Sequence, residues 1–170
     1  MPMATVLTIA EQQTLKGDIL AWTDPQLVSM RTNIDPYSIL NWYNTVATPT
    51  WIIWKNRITR EEIFNSTTHS GAGGLIARSV GEQFVYRVMF DLGQINPSLI
   101  NVRNAFADIF SGTGQAAIDT RNALLAISKR AATNLEKLFS SGTGTTATPA
   151  TSTILDRRLD PEGDIRPLLI

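Results

Sequence analysis

The sequence predicts an all-α protein, a bundle of five or six helices followed by an extended C-terminal arm, and three observations carry that expectation. Apolar residues recur at helical intervals in several stretches, helix start signals stand just before those stretches, and no comparable run alternates with a period of two. The chain then divides into a helical bundle over 1–140, a flexible Gly/Ser/Thr linker over 141–153 and an extended docking arm over 154–170.

The first helix starts at "TIAEQQTLKGDIL", where Thr8 and Glu11 have the spacing of a capping box and Leu15, Ile19 and Trp22 share one face. Asp35 before Pro36 opens a second helix, with Ile39, Leu40, Tyr43 and Val46 as its buried stripe, and Thr48-Pro49 ends it. In "PTWIIWKNRI" two tryptophans flank two isoleucines, a dense apolar patch compatible with a short helix or an extended rung. Thr59 and Glu62 repeat the capping-box spacing and predict a short helix from about Arg60 to Asn65. After the loop "STTHSGAGG", residues Leu75, Ile76, Ser79, Val80, Phe84, Val88 and Met89 predict a long central helix up to Gly93. Asn96 and Pro97 open the next, with Leu99, Val102, Phe106, Ile109 and Phe110 on one side. The stretch "QAAIDTRNALLAISKRAATNLEKLF" reads as one long helix with Ile118, Leu125, Ala132, Leu135 and Leu138 near a single stripe.

From Ser140 the character changes. "SSGTGTTATPATST" is too poor in apolar groups to offset the entropy of ordering it alone. The following "ILDRRLDPEGDIRPLLI" is apolar again but interrupted by Pro161 and Pro167, so it reads as an arm that is disordered when free. Its pegs are Ile154, Leu155, Leu159, Ile165, Leu168, Leu169 and Ile170, and Arg157, Arg158 and Arg166 are placed to pair with acidic groups on a partner.

Composition narrows the chemistry. Among 170 residues, fifteen basic and fifteen acidic side chains give zero net charge, which leaves no overall field to attract nucleic acid or an anionic membrane. No cysteine is present, so a disulfide framework, a thiolate metal site and a thiol nucleophile are all excluded. No window approaches the roughly 18 apolar residues of a membrane span, and the first residues lack the pattern of a signal peptide, so the expectation is assembly in a cytoplasm.

Two Gly-rich turns, "FSGTGQ" and "FSSGTGTT", invite a phosphate-binding reading. Neither has the Lys of a P-loop nor the strand that precedes a dinucleotide fingerprint. They read instead as helix stops, with Gly112 as a left-handed cap and Gly142 and Gly144 in the same role after Phe139. His69, the sole histidine, sits among Ser66, Thr67, Thr68 and Ser70 with no orienting carboxylate in view, so a small hydrolase centred on it is the least favoured alternative. The sequence calls for no catalytic residue, metal or cofactor. Arg121, Lys129, Arg130 and Lys137 form a candidate DNA-channel face, with solvated charge the plainer reading. Trp51 and Trp54 serve either a core or an interface.

The second half of the chain, "NPSLINVRNAFADIFSGTGQAAIDTRNALLAISKRAATNLEKLFSSGTGTTATPAT", resembles a group of structural proteins of tailed bacteriophages. With the linker and arm, the chain is most similar in arrangement to the small head-to-tail adaptors beneath the portal. That resemblance implies a virion protein of the neck and a homo-oligomeric ring, usually of twelve copies. It also implies a bundle around the DNA channel and partners in the portal and the tail or nozzle proteins. A capsid-decorating or other tail-associated virion protein is the alternative within the same class.

Overall fold

The computed structural model describes residues 7–67, 70, 71, 73–91, 93–157 and 159–170. In chain order these form α1 (Ile9–Ala21), α2 (Pro25–Thr32), α3 (Pro36–Asn44), β1 (Ile52–Trp54), β2 (Ile58–Thr59) and α4 (Arg60–Ser66). A 3-10 turn over Leu75–Ala77 precedes α5 (Val80–Asp91), β3 (Gln94–Ile95), α6 (Ile100–Ile109), α7 (Gln115–Ile127) and β4 (Lys129–Ala131). Then follow α8 (Asn134–Leu138), β5 (Ser140–Ser141), β6 (Thr151–Ser152), a π-helical turn over Pro161–Ile165 and a 3-10 turn over Arg166–Leu168. The chain is therefore helix-rich with short strand pairs, β1 with β4, β2 with β3 and β5 with β6, which the all-α expectation lacks.

Two compact units result. Unit 1 is Met1–Trp51, Ala131–Ser140 and Ser152–Ile170; unit 2 is Ile52–Arg130 and Ser141–Thr151.

In unit 1 the expected capping boxes hold. Thr8 N donates to the Glu11 carboxylate at 2.7 Å and Glu11 N to the Thr8 hydroxyl at 3.3 Å, so α1 starts where the spacing says it should. Asp35 accepts from Ser38 N at 3.1 Å and starts α3. Asp24, before Pro25, accepts from Gln26 N at 2.9 Å and starts α2 by the same chemistry, although α2 lies in a stretch without a clear apolar stripe. Helix α3 stops at Asn44, so Val46 falls outside the expected stripe and is exposed. Leu15 and Ile19 of α1, Ile39 and Tyr43 of α3 and Leu135 of α8 form the centre of the core. Trp42 packs edge to face against both Trp22 and Tyr43, and Trp22 lies tilted against Tyr43, with ring centroids 4.8 to 5.7 Å apart. The Tyr43 hydroxyl donates to Asp18 at 2.6 Å and Trp22 Nε1 donates to the same carboxylate oxygen at 3.3 Å, so the polar edges of both rings are satisfied. Burial first, and then the Asp18 carboxylate, push the Tyr43 hydroxyl far above its ordinary value, which keeps it a donor.

The C-terminal segment completes this core and is not an extended arm. Ile154, Leu159 and Ile165 are 2%, 6% and 0% exposed, and Leu168 and Leu169 pack against the same cluster. Arg157 pairs with Glu11 at 2.8 Å. Asp164 is buried, yet accepts from Leu7 N at 3.4 Å and from Asp160 N at 2.8 Å. The prolines that forbid a long helix here do not forbid packing. Pro161 opens the single turn that turns Ile165 inward, and Pro167 lies in the turn after it.

The long helix expected over 115–139 is broken in two. Ser128 caps α7, Lys129–Ala131 run extended, with Lys55 N donating to Ser128 O at 2.8 Å, and Thr133 then opens α8 through a capping box with Glu136. The extended pairing satisfies backbone groups of β1 and β4 at once, and the box makes a fresh start cheap at Thr133. The helix expected up to Gly93 is likewise interrupted before Ser79, whose backbone N–H donates to Glu82 at 2.6 Å while its hydroxyl accepts from Glu82 N. The α6 start is also displaced. Asn96 accepts from Ser98 N and Ser98 Oγ in a turn, and the helix begins only at Ile100, with no side-chain cap.

Unit 2 is built around Ile58 of β2, Ile63 of α4, Tyr86 of α5, Ile95 of β3, Phe106 and Ile109 of α6 with Phe110 at its C-terminal end, and Leu124 of α7. Its α4 has the expected Thr59/Glu62 box, strengthened by a Lys55–Glu62 ion pair at 3.0 Å. The segment expected as a flexible linker is tied into this unit. Ile52 N donates to Gly144 O at 2.7 Å and Trp54 N to Ala150 O at 3.0 Å, while Ala150 N donates back to Ile52 O at 2.9 Å. Gly142 and Gly144 have φ of 116° and 63°, but they lie beyond β5, and α8 is capped at Phe139, whose N–H donates to Leu135 O; Gly112 has no left-handed φ, so none of the three is the helix cap expected of it.

Candidate functional site

The residues first singled out are, for the most part, engaged inside the protein. Of the candidate pegs, Ile154, Leu159 and Ile165 lie in the core of unit 1, Leu168 and Leu169 against it, Leu155 is half-buried and Ile170 is 88% exposed. Of the arginines, Arg157 is held by Glu11 and Arg166 by Glu162, one turn earlier. His69 and Arg158 lie outside the described residues.

The four cations of the proposed channel face are not on one helix. Arg121 lies on α7 and donates to Phe110 O at 2.7 Å, Lys129 and Arg130 lie on β4, and Lys137 is on α8 in unit 1. Lys129 Nζ donates to Thr146 O at 2.9 Å and stands 5.2 Å from the Trp54 ring, which Arg103 also covers at 4.5 Å. Lys129 and Arg130 line a cleft of about 360 Å³ in unit 2 with Asn122 and Thr146. Trp51 donates from Nε1 to Ser140 Oγ at 2.9 Å and carries Lys137 over its ring at 5.5 Å. Both tryptophans are half-buried, each with a cation of its own chain over the ring.

What sequence reasoning did not find is the outer face of α5. The helix carries two apolar stripes. One, centred on Tyr86 and Met89, packs into the core of unit 2, with the Tyr86 ring edge-on to Phe110 at 6.1 Å and its hydroxyl 3.2 Å from Thr67 Oγ1. The other runs through Val80, Phe84 and Val88, which are 85%, 66% and 46% exposed. Residues at intervals of four fall on one side of a helix, so these three form a ridge. The central-helix expectation put this ridge in the core. A helix at a surface can bury only one of two opposed stripes, and the Tyr86 stripe has the aromatic partner.

Beside the ridge, Phe64 of α4, Leu75 and Phe84 wall an open cavity of about 530 Å³, with Gln83 and Arg87 at its polar lip. Phe64 is 55% exposed, and Ile76 in the turn before α5 is 77% exposed. Chemically this is a surface for apolar contact. Among the described residues, no group of three or more His, Asp or Glu side chains could hold a metal ion, and no helix is long and apolar enough to cross a membrane. No family model, no curated protein and no solved structure matches the chain.

Proposed function

We propose that this protein is a structural component of a tailed-phage virion, a head-to-tail adaptor that joins a portal to the tail as a homo-oligomeric ring of about twelve copies. The observation that carries a binding role is the exposed ridge of Val80, Phe84 and Val88 beside the 530 Å³ cavity, because soluble chains seldom leave contiguous apolar surface of this kind without a partner. The phage assignment rests on the resemblance of residues 96 to 151. In this reading the docking role belongs to the α5 ridge, since Ile154, Leu159 and Ile165 are already used to build unit 1. DNA in a channel would then approach Lys129 and Arg130 at the cleft of unit 2, where a phosphate would compete with Thr146 O for the Lys129 ammonium.

Two measurements test it. Immunogold labelling of purified particles should mark the neck; label spread over the head lattice or along the tail replaces the adaptor reading with decoration or tail association. Mixing the protein with isolated portal rings should give a second ring by electron microscopy, and Phe84→Glu should abolish that ring while leaving the helical circular dichroism unchanged. A portal that binds the wild-type and F84E chains equally overturns the role given to the ridge.

A further inference from the structure

The loop between β5 and β6 carries the second Gly-Thr-Gly turn, which lacks, within its own sequence, the lysine that a phosphate cradle needs. The fold supplies a lysine from elsewhere. Lys129 of β4 donates from Nζ to Thr146 O at 2.9 Å, and Ile52 N donates to Gly144 O at 2.7 Å, so the loop is tied down at two points beside the 360 Å³ cleft of unit 2. We infer that this cleft is a site for a nucleoside monophosphate, with the base on its apolar floor and the phosphate at Lys129.

The lining divides by chemistry. Ile52, Leu125 and Ala126 are its apolar part, the kind of surface that takes the flat face of a base. Asn122, Leu125 and Ala126 stand three and four residues apart on α7 and so share one side of it. Lys129 follows Asn122 by seven residues, roughly 10 Å at the rise of a helix. An amide and an ammonium therefore stand at opposite ends of the cleft, as the base edge and the phosphate do in a nucleotide. The Asn122 side chain offers a donor and an acceptor together, which is what the edge of an adenine pairs with. Among the described residues, neither that amide nor the Thr146 hydroxyl has a hydrogen-bond partner of its own.

Charge and size agree with that ligand. No carboxylate is among the described residues lining the cleft, where Lys129 and Arg130 stand side by side. Lys129 gives one ammonium donor to Thr146 O and keeps the others for a phosphate. The carbonyl end of α7, at Ile127, opposes with about half a negative charge, less than the full charge of Lys129, and the Ser128 carbonyl just beyond it already accepts from Lys55 N. A volume of about 360 Å³ lies at the small end of the roughly 300–1,000 Å³ of ligand pockets, room for one nucleotide and not for a dinucleotide. This inference does not rest on the adaptor reading. A duplex at the cleft presents phosphates and keeps its bases stacked, whereas a free nucleotide or a single strand presents both.

Calorimetric titration of the full chain with AMP should give saturable binding, tighter by about 10-fold or more than with adenosine or inorganic phosphate. Lys129→Gln should weaken AMP by about 10-fold or more. Ala126→Phe, which fills the floor and keeps both cations, should abolish binding, and it carries the test if K129Q misfolds by circular dichroism. Lys137→Gln, an equal loss of charge in unit 1, should leave binding unchanged. A tetramer of deoxyadenylate then identifies the source of the nucleotide: binding at least as tight as AMP assigns the cleft to a single strand, and weaker binding assigns it to a free nucleotide. No saturable heat up to about 10 mM AMP overturns the inference. Inorganic phosphate bound as tightly as AMP reduces the cleft to a phosphate contact and overturns it too, as does AMP binding that a folded K129Q or A126F chain leaves intact.

Discussion

Both units contain more apolar surface than their helices can bury against each other, and they dispose of it in opposite ways. In unit 1 the faces of α1 and α3 are covered by Ile154, Leu159 and Ile165, delivered by a segment so distant in sequence that Leu7 N bonds to Asp164 across 157 residues. Unit 1 also exposes apolar residues such as Ile9, Leu20 and Val46, which is ordinary for a protein surface. Among the described residues of unit 2, no such segment covers the outer face of α5, and Val80, Phe84 and Val88 stay in contact with solvent as one ridge. An apolar stripe met by its own chain becomes stability, and one left unmet stays in contact with solvent.

The comparison can be broken most directly by removing the covering segment. A chain ending at Thr153 should lose the cooperative unfolding of unit 1, because Leu15, Ile19, Ile39 and Tyr43 would be uncovered together. Tryptophan fluorescence reads this out, since Trp22, Trp42 and Trp51 all belong to unit 1. A truncated chain with an unchanged thermal transition would refute the structural role of the segment.

Single substitutions sharpen the contrast. Ile165→Ala should cost about 2–5 kcal/mol in denaturant unfolding, while Phe84→Ala on the exposed ridge should change the stability of the isolated monomer by less than ~0.5 kcal/mol. A large loss from Phe84→Ala in the monomer would mean that the ridge supports its own unit. Tyr43→Phe should cost about 1.5–3 kcal/mol, since it removes a 2.6 Å hydrogen bond to the Asp18 carboxylate and leaves the ring packing in place.

The smallest expected effect is one that the units share. The backbone N–H of Thr8 holds the Glu11 carboxyl below its ordinary value, as that of Thr59 does for Glu62, with burial opposing and Arg157 and Lys55 respectively assisting. A carboxyl depressed by folding contributes stability that is complete above its unfolded value of 4.5 and is lost as pH falls through the lower folded value. Thermal midpoints should therefore be flat from pH 7 to about 5 and decline below that. Glu11→Gln and Glu62→Gln should each flatten the decline, and a decline unchanged by both would assign it to other carboxylates.

Much of the local structure was legible because capping is a local signal. Thr8 with Glu11, Thr59 with Glu62 and Asp35 with Pro36 mark helix starts that the structure has at the same residues. Two further boxes, Ser79 with Glu82 and Thr133 with Glu136, are equally visible, but each lay inside a run with helical periodicity, and the periodicity concealed them. Asp24 with Pro25 repeats the Asp35 signal and was obscured by the weak apolar pattern of α2. The α5 ridge was legible as a stripe, though not as an outward one. Segment 52–54 was legible only as a choice between a short helix and an extended rung, and 129–131 was read as helix, because each gains its extended state from the other.

By itself, then, the sequence determined the helix-rich class, the starts of α1, α3 and α4 and the absence of thiol chemistry. Each depends on groups within a few residues of one another, or on composition alone. Only the tertiary structure decided that the C-terminal segment is core, that the segment expected as a linker is laced to β1, and which stripe of α5 is buried. Those outcomes depend on which distant apolar face is within reach once the chain folds, and periodicity in one helix carries no record of what will lie across from it.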